Sequence, residues 1–156
     1  FIVVVNHLST ADIGIVFVGF PNQPWRYFAG EKWARHWLWG PLLSWLGAIF
    51  VNRGELDRRA LREALASLAG GCVFALAPEG TRSLTAGWKS GFYRIALAAQ
   101  VPIALAFVDY PRRQAGILTY LTLTGDPATD IAAIAKHYEG RQGKHPELAS
   151  PIRWLD

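Results

Sequence analysis

A strand that is apolar on both faces has to lie inside a sheet that is covered on both sides. This chain carries such a run directly behind an amphipathic helix. Residues 72–77 read Cys-Val-Phe-Ala-Leu-Ala, with no polar alternation, the pattern of a fully covered strand. Ahead of it, residues 55–69 set Leu56, Ala60, Leu61, Ala64, Leu65 and Leu68 on one helical face. Asp57, Arg58, Arg59, Arg62 and Glu63 fall on the opposite face. Gly70 and Gly71 stop that helix. A helix that feeds a covered strand is the unit of an α/β layer fold.

The rest of the chain repeats the alternation. Residues 1–5 form a β-branched run that predicts a buried strand, and Ser9 or Thr10 can cap a helix over 11–20 that ends at Pro21. A strand is predicted at 25–29, a short helix at 31–39, then a second helix with Pro41 in its first turn and its end at Gly47. Strands at 48–51, 103–108 and 117–123 and helices at 91–100 and 128–138 complete the pattern. The 156 residues fit one domain, 1–156, with enough chain for a real core. The apolar content of 51% excludes a disordered segment, and the single Cys72 excludes an intrachain disulfide framework. Cys72 itself is expected in the core of its strand. No uninterrupted apolar run reaches the roughly 18 residues of a spanning helix. The chain contains no Met and opens with Phe1, so it reads as trimmed at its N-terminus.

Three polar clusters each follow a predicted strand, the place where α/β sheets display reactive groups. The first is Asn6-His7-Leu8-Ser9-Thr10-Ala11-Asp12. With His7 in a turn and Asp12 in the helix behind it, the carboxylate can orient the imidazole and stabilise its charged form, as a general base requires. Taken alone, the pair fits a surface His and a helix-start acid better than a catalytic pair. The second is Ala77-Pro78-Glu79-Gly80-Thr81-Arg82-Ser83, a tight segment that offers backbone amides, a hydroxyl and a guanidinium suited to phosphate oxygens. Lys89 follows shortly. The third is Gly47 to Arg53, a strand that releases its chain into a basic residue. If the three strands are parallel neighbours, His7, Arg53 and Arg82 converge on one rim.

Together these blocks resemble the glycerolipid acyltransferase family that includes the bacterial lysophosphatidic acid acyltransferases. Asn6, His7 and Asp12 match its Asn-His-x4-Asp block. Gly47 to Arg53 match its Gly-x-Ile-Phe-Val-(Asp/Asn)-Arg strand. Pro78 to Ser83 match Phe-Pro-Glu-Gly-Thr-Arg-Ser, with Ala77 in place of the usual Phe. Lys89-Ser90-Gly91-Phe92 and Val101-Pro102-Ile103 resemble later blocks, with Ala106 where a second Pro is common. The matches run in the family's order over residues 1 to 108, and nothing beyond Tyr110 is assigned.

The resemblance implies an α/β domain with a mixed, largely parallel central sheet flanked by helices, of the glycerol-phosphate acyltransferase type. It implies transfer of a fatty acyl group from acyl-CoA or acyl carrier protein to the hydroxyl of a lysophospholipid such as 1-acyl-glycerol-3-phosphate. His7 is then the general base and Asp12 its support, while Arg53, Glu79, Gly80, Thr81, Arg82 and Lys89 hold the acceptor. No metal or resident cofactor is expected. The expected partners are lysophospholipid, acyl thioester, a peripheral membrane surface and an acyl carrier protein, with no nucleic acid. The expected place is the cytoplasmic side of a membrane, held peripherally or by an N-terminal segment missing from this chain. A different lysolipid acceptor, or a non-catalytic lipid-binding adaptor of the same fold, stays open.

Other motifs fail on spacing. Between Gly80 and Gly87 lie six residues, and Trp88 precedes Lys89, where a P-loop needs four and an immediate Lys. No Gly-x-Ser-x-Gly elbow is present. His36, His137 and His145 lack metal-ligand spacing and read as surface residues. The net charge of +4 is by itself compatible with nucleic acid, anionic lipid or phosphorylated small molecules. Trp25, Trp33, Trp37, Trp39 and Trp45, interleaved with Arg26, Lys32 and Arg35, fit a packed aromatic core, a membrane-facing patch or a wall of an acyl channel.

Overall fold

In a computed structural model, the described residues are 1–5, 22–52, 58–80 and 84–155. They form a six-stranded sheet: β1 (Ile2–Val5), β2 (Trp25–Gly30), β3 (Ala48–Val51), β4 (Val73–Leu76), β5 (Ile103–Asp109) and β6 (Gln114–Leu121), in the spatial order β3-β2-β4-β1-β5-β6. All pairings are parallel except β5 with β6. The mixed, largely parallel α/β sheet expected from the resemblance is therefore present.

The centre of the sheet belongs to β1, whose Ile-Val-Val-Val sequence is buried throughout. Branched side chains suit that place because they pack well on a pleated surface. Successive residues point to opposite faces. Ile2 and Val4 join Phe74, Ile103 and Leu105 in one cluster, while Val3 and Val5 join Val73, Ala104 and Ala106 in another. Three helices pack on the first face. Helix α2 (Arg58–Ala69) brings Ala60, Ala64 and Leu68, α3 (Gly91–Ala99) brings Phe92, Ile95 and Ala96, and α4 (Pro127–Tyr138) brings Ile131 and Ile134. Helix α4 starts where Asp126 accepts a hydrogen bond from the Thr129 amide, with Pro127 as its first residue.

Several expectations need correction. The helix read over 31–39 is one 3-10 turn, Glu31–Trp33, followed by turns, and α1 runs over Trp39–Trp45. His36 Nδ1 accepts the amides of Leu38 and Trp39, each at 3.3 Å, and so competes with the helical ladder. Strand β4 is shorter than 72–77. Cys72 stands before it and is partly exposed, which corrects its placement in the core. Strand β6 starts earlier than 117 because it pairs with β5 back to Gln114. The predicted helix over 11–20 lies outside the described residues. Among those residues, no helix is long and apolar enough to cross a membrane.

Candidate active site

Parallel strands deliver their carboxyl ends to one edge of a sheet. Strands β1 and β4 are direct neighbours with Val4 level with Leu76, and they end at Val5 and Leu76. The segments that begin at Asn6 and Ala77 thus leave adjacent strands at nearly the same height. Strand β3 points the same way, but β2 stands between it and β4. Arg53 therefore follows a strand two places from β4, about 10 Å at the usual strand spacing. The parallel condition holds for all three strands, and the neighbour condition only for the first two. His7, Asp12, Arg53, Thr81 and Arg82 lie outside the described residues. Glu79, Gly80 and Lys89 are described.

Gly80 closes the turn after β4. Its amide donates to Ala77 O at 3.0 Å, and its φ of 64° lies in the left-handed region that favours glycine. The Lys89 amide donates to Pro78 O at 3.0 Å, which folds the following loop back onto this turn. A Cβ at Gly80 would stand 3.4 Å from Lys89 Nζ. The exposed Lys89 side chain thus lies along the Glu79–Gly80 turn. Glu79 is buried. Its charge, added to the larger effect of burial, raises the phenol pKa of Tyr138 far above the ordinary range. The Tyr138 hydroxyl lies 2.7 Å from Ala106 O and 3.0 Å from Val4 O, bridging β5 and β1.

A second carboxylate on this edge, Asp109 at the end of β5, is committed elsewhere. Burial pushes its pKa up. Hydrogen bonds from the Arg112 side chain at 2.6 Å and amide at 3.2 Å, with the charges of Arg112 and Arg141, outweigh that and hold it below the usual range. It is an ion-paired anchor for the segments that follow β5 and α4.

The sequence reading assigned nothing beyond Tyr110, yet the C-terminal segment braces the site. Ser150 Oγ accepts the Thr85 amide at 3.0 Å and hydrogen-bonds Thr85 Oγ1 at 2.8 Å. Arg153 Nε donates to Ala86 O at 2.8 Å. The Trp88 amide donates to Arg153 O and the Leu155 amide donates to Trp88 O. A Cβ at Gly87 would stand 2.5 Å from Arg153 O, so only glycine admits this strap. The available signal was Gly87 beside Trp88, a glycine next to a large aromatic in a polar loop.

An open cleft of about 570 Å³ lies at the ends of β2 and β3, lined by Gly30, Glu31, Lys32, Arg35, Val51 and Asn52. It shares the edge that carries the Glu79–Gly80 turn, and it adds two cations not assigned to the site from sequence. Arg35 lies 3.7 Å from Glu31 with both side chains solvated, a weak pairing. The packed-core reading of the tryptophan stretch is overturned for Trp37 and Trp45, each 82% exposed, and for Trp33 and Trp39, which are also exposed. Trp25 is half-buried and packs against the second core cluster.

The family model for acyltransferases matches residues 1–106. The chain belongs to the acyltransferase family. The chain also resembles the crystal structure of the 1-acyl-sn-glycerophosphate (LPA) acyltransferase, PlsC, from Thermotoga maritima, and spans less than half of that chain's length. The TM-score is 0.51, with 33% identity over 68% of this chain and 43% of that one. Among curated proteins no match was found. The glycerolipid acyltransferase family read from the ordered blocks is thereby borne out.

Proposed function

We propose that the protein moves a fatty acyl group from acyl-CoA or acyl carrier protein to the free hydroxyl of a lysophospholipid such as 1-acyl-glycerol-3-phosphate. The reading is carried by the side-by-side ends of β1 and β4, which launch the His7–Asp12 block and the Glu79–Arg82 block from adjacent positions. In this mechanism His7 takes the proton of the acceptor hydroxyl and Asp12 supports the resulting imidazolium. The acceptor oxygen attacks the thioester carbonyl, the carbon–sulfur bond breaks, and the thiolate leaves with the proton returned by His7. A thioester is already activated, so positioning and one base suffice without a covalent enzyme intermediate. Arg82, Thr81 and the Glu79–Gly80 turn hold the acceptor together with Lys89, which lies along that turn, and with Arg53, which follows the more distant strand. Charge-assisted contacts from arginine suit its phosphate.

Mass spectrometry of products from a lysolipid panel, with each donor in turn, tests the acceptor class. Transfer to a phosphate-bearing lysolipid is expected, with a loss of about 10²–10⁴-fold for His7→Ala. Undiminished transfer by that variant removes the general base. Absence of transfer by the unaltered protein, with lysolipid binding retained, turns the reading to a lipid-binding adaptor.

A further inference from the structure

Helix α1 is unusual in what it leaves outside. Of its seven residues only Gly40 is buried, and residues 31–38 ahead of it are exposed throughout. A helix this short does not hold itself together in water, so its shape depends on what it packs against. Gly40 packs against the turn just ahead: a Cβ there would stand 2.5 Å from Ala34 O. At about 100° per residue, Leu38, Trp39, Leu42, Trp45 and Leu46 fall within a stripe of roughly 120° on the side away from Gly40. All five are exposed. Trp37, at 82% exposure, lies in the turn just ahead.

Contiguous exposed apolar surface marks an interaction site, and its composition selects the partner. Tryptophan favours the boundary between lipid and water, and basic residues beside it favour an anionic surface. Lys32 and Arg35 stand in the same segment, with Glu31 as its one acid, and Lys32 Nζ lies 5.3 Å from the Trp33 ring centre. A second copy of this face would bring these cations against their own kind, whereas an anionic bilayer complements them. Lys32 and Arg35 also line the cleft at the ends of β2 and β3, so the cleft adjoins the cationic end of this segment.

We infer that residues 31–46 form the surface by which the protein docks on an anionic lipid bilayer, with the cleft mouth beside the headgroups. The inference rests on the acyl-transfer reading only in making lipid the partner, and its binding test needs no turnover. Flotation with vesicles of phosphatidylcholine, with and without phosphatidylglycerol, measures docking. The unaltered protein should float with the anionic vesicles and much less with the neutral ones. Trp37→Ala/Trp45→Ala removes two solvated side chains and leaves the melting temperature unchanged, yet binding should weaken about tenfold or more. Lys32→Gln/Arg35→Gln should erase the preference for anionic lipid. The tryptophan variant should retain transfer to a monomeric short-chain acceptor and lose it on vesicle-borne acceptor. Equal flotation of the tryptophan variant and the unaltered protein overturns the docking face whatever the activity. Absence of flotation together with self-association that the same substitutions abolish assigns the face to a second copy instead. Loss of transfer on every acceptor with flotation intact counts against the acyl-transfer reading alone.

Discussion

Tyr138 shows how one side chain organises the edge of the sheet. Its hydroxyl has a single proton and two carbonyls in reach, Ala106 O at 2.7 Å and Val4 O at 3.0 Å. Burial and the charge of Glu79 both oppose its ionisation, so it remains a donor across the physiological range. It therefore ties β5 to β1 one residue before β1 ends. Tyr138→Phe should cost about 1–3 kcal/mol, as two carbonyls lose a buried partner. Urea denaturation measures that loss, and an unchanged midpoint would show that the bridge contributes nothing. None of this was legible in sequence, because the Val4 partner lies 134 positions away and the residue reads only as the end of a helix. Gly80 was legible, since a Pro-Glu-Gly turn announces its own conformation.

At the scale of elements, the turn from α1 into β3 is a tight joint at the strand starts, on the edge of the sheet opposite the cleft. Gly47 has φ of 91°, and a Cβ there would stand 2.2 Å from Trp25 O, while its carbonyl accepts the Tyr27 amide. Gly47→Ala should cost at least about 1–3 kcal/mol from backbone conformation alone, with the clash against β2 added. A chemical denaturation midpoint close to that of the unaltered protein would contradict this geometry. The glycine and the strand behind it were readable because helix stop and β-branched run coincide. The stretch before them was not. Periodicity among so many tryptophans favours no single face, and His36 diverts the amides of Leu38 and Trp39 away from the helical pattern.

At the scale of the whole molecule, the largely parallel architecture followed from local patterns, since covered strands behind amphipathic helices leave few alternatives. Strand order did not, because parallel neighbours are chosen by packing across long separations. The insertion of β2 between β4 and β3 appears only in three dimensions. The same holds for the C-terminal strap. Ser150→Ala/Arg153→Ala removes the side-chain hydrogen bonds to Thr85 and Ala86. Amide exchange over residues 84–89 should then quicken by about tenfold or more, at about 1 kcal/mol per lost bond. Exchange that stays at its original rate would mean that the Trp88 backbone pairing alone holds the strap.

The position of β1 has a consequence for how the protein is made. Its neighbours on either side, paired through Phe74 and Ile103, are synthesised long after it. The most apolar segment of the sheet therefore emerges before the other described strands and has no sheet partner until β4 has followed. Parallel pairing over such separations is slow, because loop closure precedes any compensating contact. During translation the Ile-Val-Val-Val run is an extended apolar peptide, the kind of sequence that aggregates or is held by a chaperone. The strand at the centre of the sheet is thus paired on both sides only after β5 has been made, and this edge is assembled only when the sheet is nearly whole.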